Sequence, residues 1–417
     1  MSGLLGSPAR LRLYTSLGLY ADTVAAMAGG KMRKGDDVAE LETSLKRLTG
    51  AKHAIATPLA RVGLYLAIKH TIKPGQNVIL SPYTIADVVN MVICAGGVPV
   101  FADIDRESCN ISAASIASLI DEYTGAVLVT HFYGQLADMD AILPLCAKHN
   151  VPVLEDAAQA FGGRHHGKPA GTLGRGGVFS FGMYKNINSF YGGAIVTDDD
   201  AMAANVRAEI AEWPLQSVGG LVSKIISAAI TDVVTSPLVF RTVMFRFFRW
   251  AFVNNIDAIN NKLKIDTDPK MISTLPEHYR CRMTPLQARL VTKQLGLLEP
   301  HMATRLGYAR LYHEGLKDIP EITIAPLRED GSHIYWYFPI QYHDRQALVA
   351  GVMKLGRDIT MSYHRNCAAL PCFSAYAREC PNAQATADSL IYLPAYPRYG
   401  EDEVRRTIVA IRSYFRH

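Results

Sequence analysis

Short apolar runs rich in β-branched residues recur along the first half of the chain, at 53–58, 77–82, 98–104, 126–133, 151–157, 178–182 and 193–197, with helical stretches between many of them. This alternation predicts a mostly parallel seven-stranded sheet covered by helices on both faces, an α/β architecture. Helices are expected over 201–213 and over 284–298, the second with Pro285 in its first turn. After Asp330 the pattern changes: a strand at 334–342, a helix at 344–355 and a closing helix at 402–415 read as a smaller α+β domain. The expected division is a large domain over 1–275 and a small C-terminal domain over 276–417.

The segment 215–265 departs from this rhythm. Ile225, Ile226, Ile230, Val233 and Val234 fall near helical spacing, Pro237 interrupts the run, and 238–252 then combines large apolar groups with Arg241, Arg246 and Arg249. The spacing puts these arginines within one broad side of a helix. A basic helix rich in Phe and Trp suits a membrane interface, and it suits equally an amphipathic helix packed on its own protein or on a partner subunit.

Composition narrows the class. The 417 residues exceed one small core, and with 49% hydrophobic and 19% charged residues the chain is apolar, yet no uninterrupted apolar stretch reaches the length of a spanning helix. Arg10 and Arg12 precede a mildly apolar N-terminal stretch, but Asp22 interrupts it and no convincing cleavage site follows, so the expectation is a cytoplasmic protein. Seven cysteines without Cys-x-x-Cys spacing argue against a disulfide framework and a zinc site, and the grouping of His364, Cys367 and Cys372 reads as chance. A net charge of +5 is compatible with anionic small-molecule ligands, and no basic-aromatic array suggests nucleic acid.

The chemistry centres on Lys185. It follows Val178-Phe-Ser-Phe-Gly-Met-Tyr, precedes the pair Gly192-Gly193 that opens the next apolar strand, and lies downstream of Asp156, which ends another. In a parallel sheet ligands gather at the carboxyl ends of strands, where Pro82-Tyr-Thr84, His131, Asp156 and the Lys185 loop all fall. A loop lysine is ordinarily a solvated charge, and an acid before Ala157-Ala158 is ordinarily a helix N-cap. Together they suggest a Schiff-base site: an amine for pyridoxal phosphate, with an acid to keep its pyridine nitrogen protonated.

The stretch from Gly35 to Thr197 resembles the DegT/DnrJ/StrS-type sugar aminotransferases. The resemblance rests on Pro74-Gly75, Pro99-Val-Phe-Ala-Asp103, His131-Phe-Tyr-Gly-Gln-Leu-Ala-Asp138, Glu155-Asp-Ala-Ala-Gln159 and Phe179-Ser-Phe181 leading to Lys185-Asn186. It continues through Arg282-Met283, Leu286-Gln287-Ala288 and Leu393-Pro394. It implies a fold-type I enzyme that binds pyridoxal 5′-phosphate and works as a homodimer with shared active sites. It makes Lys185 the lysine that carries the cofactor, Asp156 the partner of the ring nitrogen, Gln159 the group near the phenolic oxygen and Ser180 a phosphate ligand. Ala158 and Ile85 fall where the family packs the two faces of the ring. The implied activity is transfer of an amino group, with glutamate as donor, to a nucleotide-linked keto-sugar.

Four departures bear on the phosphate and the substrate. Where the family has Ser-Gly-Thr opening a helix that binds phosphate, this chain has Leu59-Ala-Arg61, so Arg61 is a candidate phosphate ligand. Arg280 stands where a neighbouring subunit's Asn commonly approaches the phosphate, and Tyr191 replaces a glutamate before the Gly-Gly pair. The apolar segment makes the interval between Thr197 and Arg282 longer than the family usually has. It suggests as alternatives a lipid-linked or apolar carbonyl substrate at a membrane surface, or, from the altered cradle, a non-catalytic binding homologue.

Overall fold

The computed structural model describes residues 6–13, 15–254, 256 and 268–416. Seven strands form the principal sheet: β1 (His53–Thr57), β2 (Asn77–Leu80), β3 (Val98–Phe101), β4 (Thr124–Thr130), β5 (Val153–Asp156), β6 (Gly176–Ser180) and β7 (Gly193–Thr197). Their order is β1-β7-β6-β5-β4-β2-β3, parallel except for β7, which runs against both its neighbours. Both faces are buried, which is why the strands read as continuous apolar runs rather than as alternation. On one face, residues of the helices Ala60–Lys69 and Ala86–Cys94 join a core with Ile55, Leu128 and Val178; on the other, Ile79, Val127 and Val129 pack with Ile116 and Ile142.

The C-terminal region builds a second sheet, β8 (Phe338–Gln341), β9 (Thr360–Met361) and β10 (Leu390–Leu393), antiparallel in the order β8-β10-β9. It packs with the helices Leu298–Leu316, Arg345–Lys354 and Glu401–Tyr414 around Tyr312, Ile340, Val352 and Ile411. The expected strand at 334–342 is shortened to β8, because 334–337 leaves the sheet to bond the loop after β4: Ile334 and Trp336 N–H groups donate to the carbonyls of Gly134 and Tyr133. The single helix expected over 284–298 is two. A capping box at Thr284 starts Pro285–Thr292, a 3₁₀ turn at Leu295–Leu297 breaks the run around Gly296, and the long helix Leu298–Leu316 comes next.

The apolar segment forms two helices, Val218–Val234 and a second run over Pro237–Val253 that contains a π-helical turn at Phe240–Met244. They meet at a bend of 52°, and among the described residues no single helix is long and apolar enough to cross a membrane. The end of the segment, 257–265, lies outside the described residues. The three arginines do not share one side: the wide π turn carries Arg241 inward to Glu403, while Arg246 and Arg249 face outward.

One buried hydrogen-bonded pair organises the sheet's active edge. Glu155 on β5 is fully buried and accepts hydrogen bonds from the backbone N–H groups of Gly171, Leu173 and Gly174 at 2.6–2.8 Å. His131, at the end of β4, uses Nδ1 to accept the Ala137 N–H and so presents its Nε2 proton to Glu155, 3.0 Å away. Glu155→Ala leaves these donors buried without an acceptor, and urea denaturation is expected to show a loss of about 3–5 kcal/mol.

Candidate functional site

Strand register brings the site together. Thr57, Gly193 and Ser180 are aligned across β1, β7 and β6, and Val178 of β6 is aligned with Asp156 and through it with Thr130. The carboxyl ends of the parallel strands therefore form one edge. Because β7 returns antiparallel beside β6, the connection that carries Lys185 closes over that edge. The helix Ala60–Lys69 starts there too. A side chain at Gly193 would stand 2.7 Å from the Ala60 nitrogen and 2.8 Å from its Cα, so only glycine lets the strand pass this close to the helix start.

The Lys185 amine lies 4.1 Å from the centre of the Trp336 ring. Burial pushes its pKa down to about 8, and the charge of Asp156 opposes that shift. Asp156 is almost fully buried; burial raises its pKa, opposed by the Ala158 N–H, which donates to Oδ1 at 3.1 Å, and by the charge of Lys185. That bond is the capping contact expected of an acid here, but the residues after it form a turn, not a helix. Each of the two groups therefore lies within electrostatic reach of the other.

The phenolic-oxygen and phosphate candidates lie around this pair. Gln159 Oε1 accepts the Tyr133 N–H at 3.0 Å, which fixes the amide and leaves its NH₂ as the donating end. Ser180, buried at the end of β6, accepts the Gly182 N–H through Oγ at 3.4 Å. Ala158 is half-buried in the turn after Asp156, and Ile85 is half-buried at the start of the helix Ala86–Cys94, where it lines a small cleft with Tyr363. Arg61 is otherwise engaged: its guanidinium pairs with Asp87 and donates to the Tyr279 hydroxyl at 2.9 Å. Arg280 is exposed, with Glu277 4.0 Å away. Leu59, the N-cap residue of the helix Ala60–Lys69, makes no side-chain capping bond, so the first-turn N–H groups receive no acceptor from that side chain.

Other residues enter the site without a signal in the linear pattern. Trp336 is held by its indole N–H, which donates to the Tyr184 carbonyl at 3.0 Å, and its neighbour Tyr335 takes a left-handed φ of 49°. Tyr133 likewise has φ 57°, a conformation costly for a bulky residue, sustained by the surrounding packing. Its hydroxyl donates to Tyr83, which continues through Ser362 and Tyr392 to Nδ1 of His364, with links of 2.6–2.9 Å. Burial, with the Lys185 charge adding to it, lowers the His364 pKa to about 3. His364, a chance neighbour of two cysteines in the sequence, thus belongs to the surroundings of Lys185.

Comparison with known proteins places the chain in a family and matches its fold. The family model described as DegT/DnrJ/EryC1/StrS aminotransferase matches residues 19–219 and 265–412. The spore coat polysaccharide biosynthesis protein SpsC of Bacillus subtilis is 27% identical over 413 residues, covering 94% of this chain and 93% of SpsC. Among solved structures, the Helicobacter pylori aminotransferase PseC, involved in the biosynthesis of pseudoaminic acid, superposes with a TM-score of 0.77 at 18% identity and covers 98% of this chain and 99% of its own. DesI, solved in the presence of its TDP-sugar product, gives 0.73 at 22% identity, covering 98% and 92%. The chain belongs to the DegT/DnrJ/EryC1/StrS aminotransferase family.

Proposed function

We propose that this aminotransferase binds pyridoxal 5′-phosphate through Lys185 and moves an amino group from an amino acid, glutamate by resemblance, to the keto group of a nucleotide-linked sugar. The observation that carries the reading is the pairing of Lys185 with Asp156 at one edge of the sheet, beside a helix start whose N-cap side chain makes no bond. These are the amine, the buried acid and the anion cradle that the cofactor requires. Bound there, the cofactor supplies the aldehyde that takes up the amino group and a ring that withdraws electrons from the reacting carbon.

The chain's own residues do the rest. With its pKa near 8, a substantial fraction of Lys185 is neutral close to physiological pH, able to attack a carbonyl and then to carry a proton. Trp336 bounds its movement on one side. Asp156, sheltered from water, holds a positive charge on a ring nitrogen against it, and the Gln159 NH₂ is the donor assigned to the phenolic oxygen. We assign the phosphate to the first turn of Ala60–Lys69 and to Ser180 rather than to the Arg61 side chain, which Asp87 already neutralises. Arg280 we assign to the second active site of a homodimer. The sugar substrate class draws support from SpsC, PseC and DesI, all named for roles in sugar or polysaccharide chemistry.

Purified protein given pyridoxal phosphate is expected to show a visible absorbance band that Lys185→Ala removes, and to aminate keto-sugar nucleotides with glutamate. Asp156→Asn is expected to slow that reaction about 100-fold or more. A wild-type protein with no band would point instead to the non-catalytic homologue.

A second outcome is read without activity. A lysine with a folded pKa near 8 and an ordinary value of 10.5 binds fewer protons folded than unfolded between the two, so its penalty on stability falls as pH rises through that window. In the cofactor-free protein Lys185→Met should therefore stabilise by roughly 2 kcal/mol at pH 7, allowing for solvent screening of a residue that is only half-buried. Denaturant titrations should show the gain shrinking from about pH 8 to about 10.5.

A further inference from the structure

The two helices of the apolar segment present more apolar surface than the described residues cover. On Val218–Val234, the side chains Leu221, Ile225 and Ala228 are buried against Leu19, Phe190, Leu286 and Leu290. On the second helix Phe240 and Phe245 pack with Ala9, Arg241 pairs with Glu403, and Phe252 reaches the small-domain core. Each helix thus has a complete inner face, which is all that an amphipathic helix packed on its own protein needs.

Each also has an outer apolar face. Ile226, Ile230 and Val233 are 53–62% exposed at spacings of four and three, one stripe of a helix. Val243, Phe247 and Trp250 repeat the same spacings on the second helix, 43–59% exposed, with the Phe247 and Trp250 ring centres 6.3 Å apart. Arg246 and Arg249 are exposed in the same turns. The sole acid between 218 and 253, Asp232, is not on these faces; it accepts the Tyr20 hydroxyl at 2.7 Å.

We propose that residues 218–253 form a membrane-interface docking element, with the two exposed stripes inserted among the headgroups of an anionic bilayer. Charge decides for this occupant: an apolar surface edged by arginine and tryptophan, to which residues 218–253 contribute no exposed acid, complements anionic lipid. The 52° bend keeps the pair from forming a straight span, so the helices lie along the interface. The family match stops at 219 and resumes at 265, so an interface common to the family does not account for these stripes.

The element adjoins the Lys185 loop: Lys224 lies 4.6 Å from the centre of the Tyr191 ring, and Met183 and Tyr191 pack against the same cluster as Leu221 and Ile225. A bilayer held there would present lipid-anchored compounds beside the site. That last step rests on the aminotransferase reading; the docking surface does not.

The test is co-sedimentation of the full-length protein with phosphatidylcholine vesicles and with vesicles that also contain phosphatidylglycerol. Wild type is expected to partition at least about tenfold better onto the anionic vesicles, weakening with salt. The double variant Ile230→Asp with Phe247→Asp should lose about tenfold or more of that partition, as should Arg246→Glu with Arg249→Glu. Both alter exposed positions, and unchanged melting temperatures would show that they fold. Wild-type protein that stays in the supernatant, or a folded Asp variant that partitions as wild type does, overturns the proposal. So does an Asp variant that changes the oligomeric state in analytical ultracentrifugation without changing partition, which would assign the stripes to a second copy of the chain. Failed partition with intact transamination sinks the docking surface alone; intact partition without transamination sinks only the enzymatic reading.

Discussion

The alignment of strand ends at one edge of the principal sheet is the constraint on which the site depends. β7 runs antiparallel between β1 and β6, setting Thr57, Gly193 and Ser180 side by side, while β5 keeps Asp156 level with Val178. A slip of one residue in β6 would turn Ser180 and every neighbour to the opposite face. The register is held because both faces of the sheet are buried, and the Glu155 and His131 pair anchors the loop that leads into β6. The edge so formed gathers an amine, an acid and a helix start from distant parts of the chain.

Low polarity at that edge does the electrostatic tuning. Burial acts in opposite directions on the two charged groups, lowering the Lys185 pKa and raising that of Asp156, while their mutual attraction opposes both shifts. The C-terminal region completes the enclosure. Its 332–336 segment bonds the loop after β4 instead of lengthening β8, and this brings Trp336 over the lysine. The left-handed Tyr133 and Tyr335 lie on either side of that junction, where packing holds a backbone conformation that costs free energy in isolation.

The added helices show how one segment satisfies two demands. Their inner faces are fixed by contacts with the Lys185 loop, the N-terminal region and Glu403, and the π turn at Phe240–Met244 redirects Arg241 inward. The outer faces then remain apolar and exposed among the described residues. An amphipathic pattern gives a helix one face to bury, so a helix apolar on two sides had no unique reading from spacing alone.

Strand positions, the alternation of elements and the pair Lys185 and Asp156 were legible in the residues, because continuous apolar runs and an acid or amine at their ends are local features. Sheet order, the short β8 and the broken helix before Leu298 were not: they arise from hydrogen bonds between segments far apart in the chain. The same holds for Trp336 and His364, whose places beside Lys185 come from the C-terminal region folding against the edge of the principal sheet. Arg61 shows the limit most clearly. The sequence by itself determined that a cation opens that helix, and only the tertiary structure decided that it faces Asp87, because a side chain's partner depends on which distant segment packs against it.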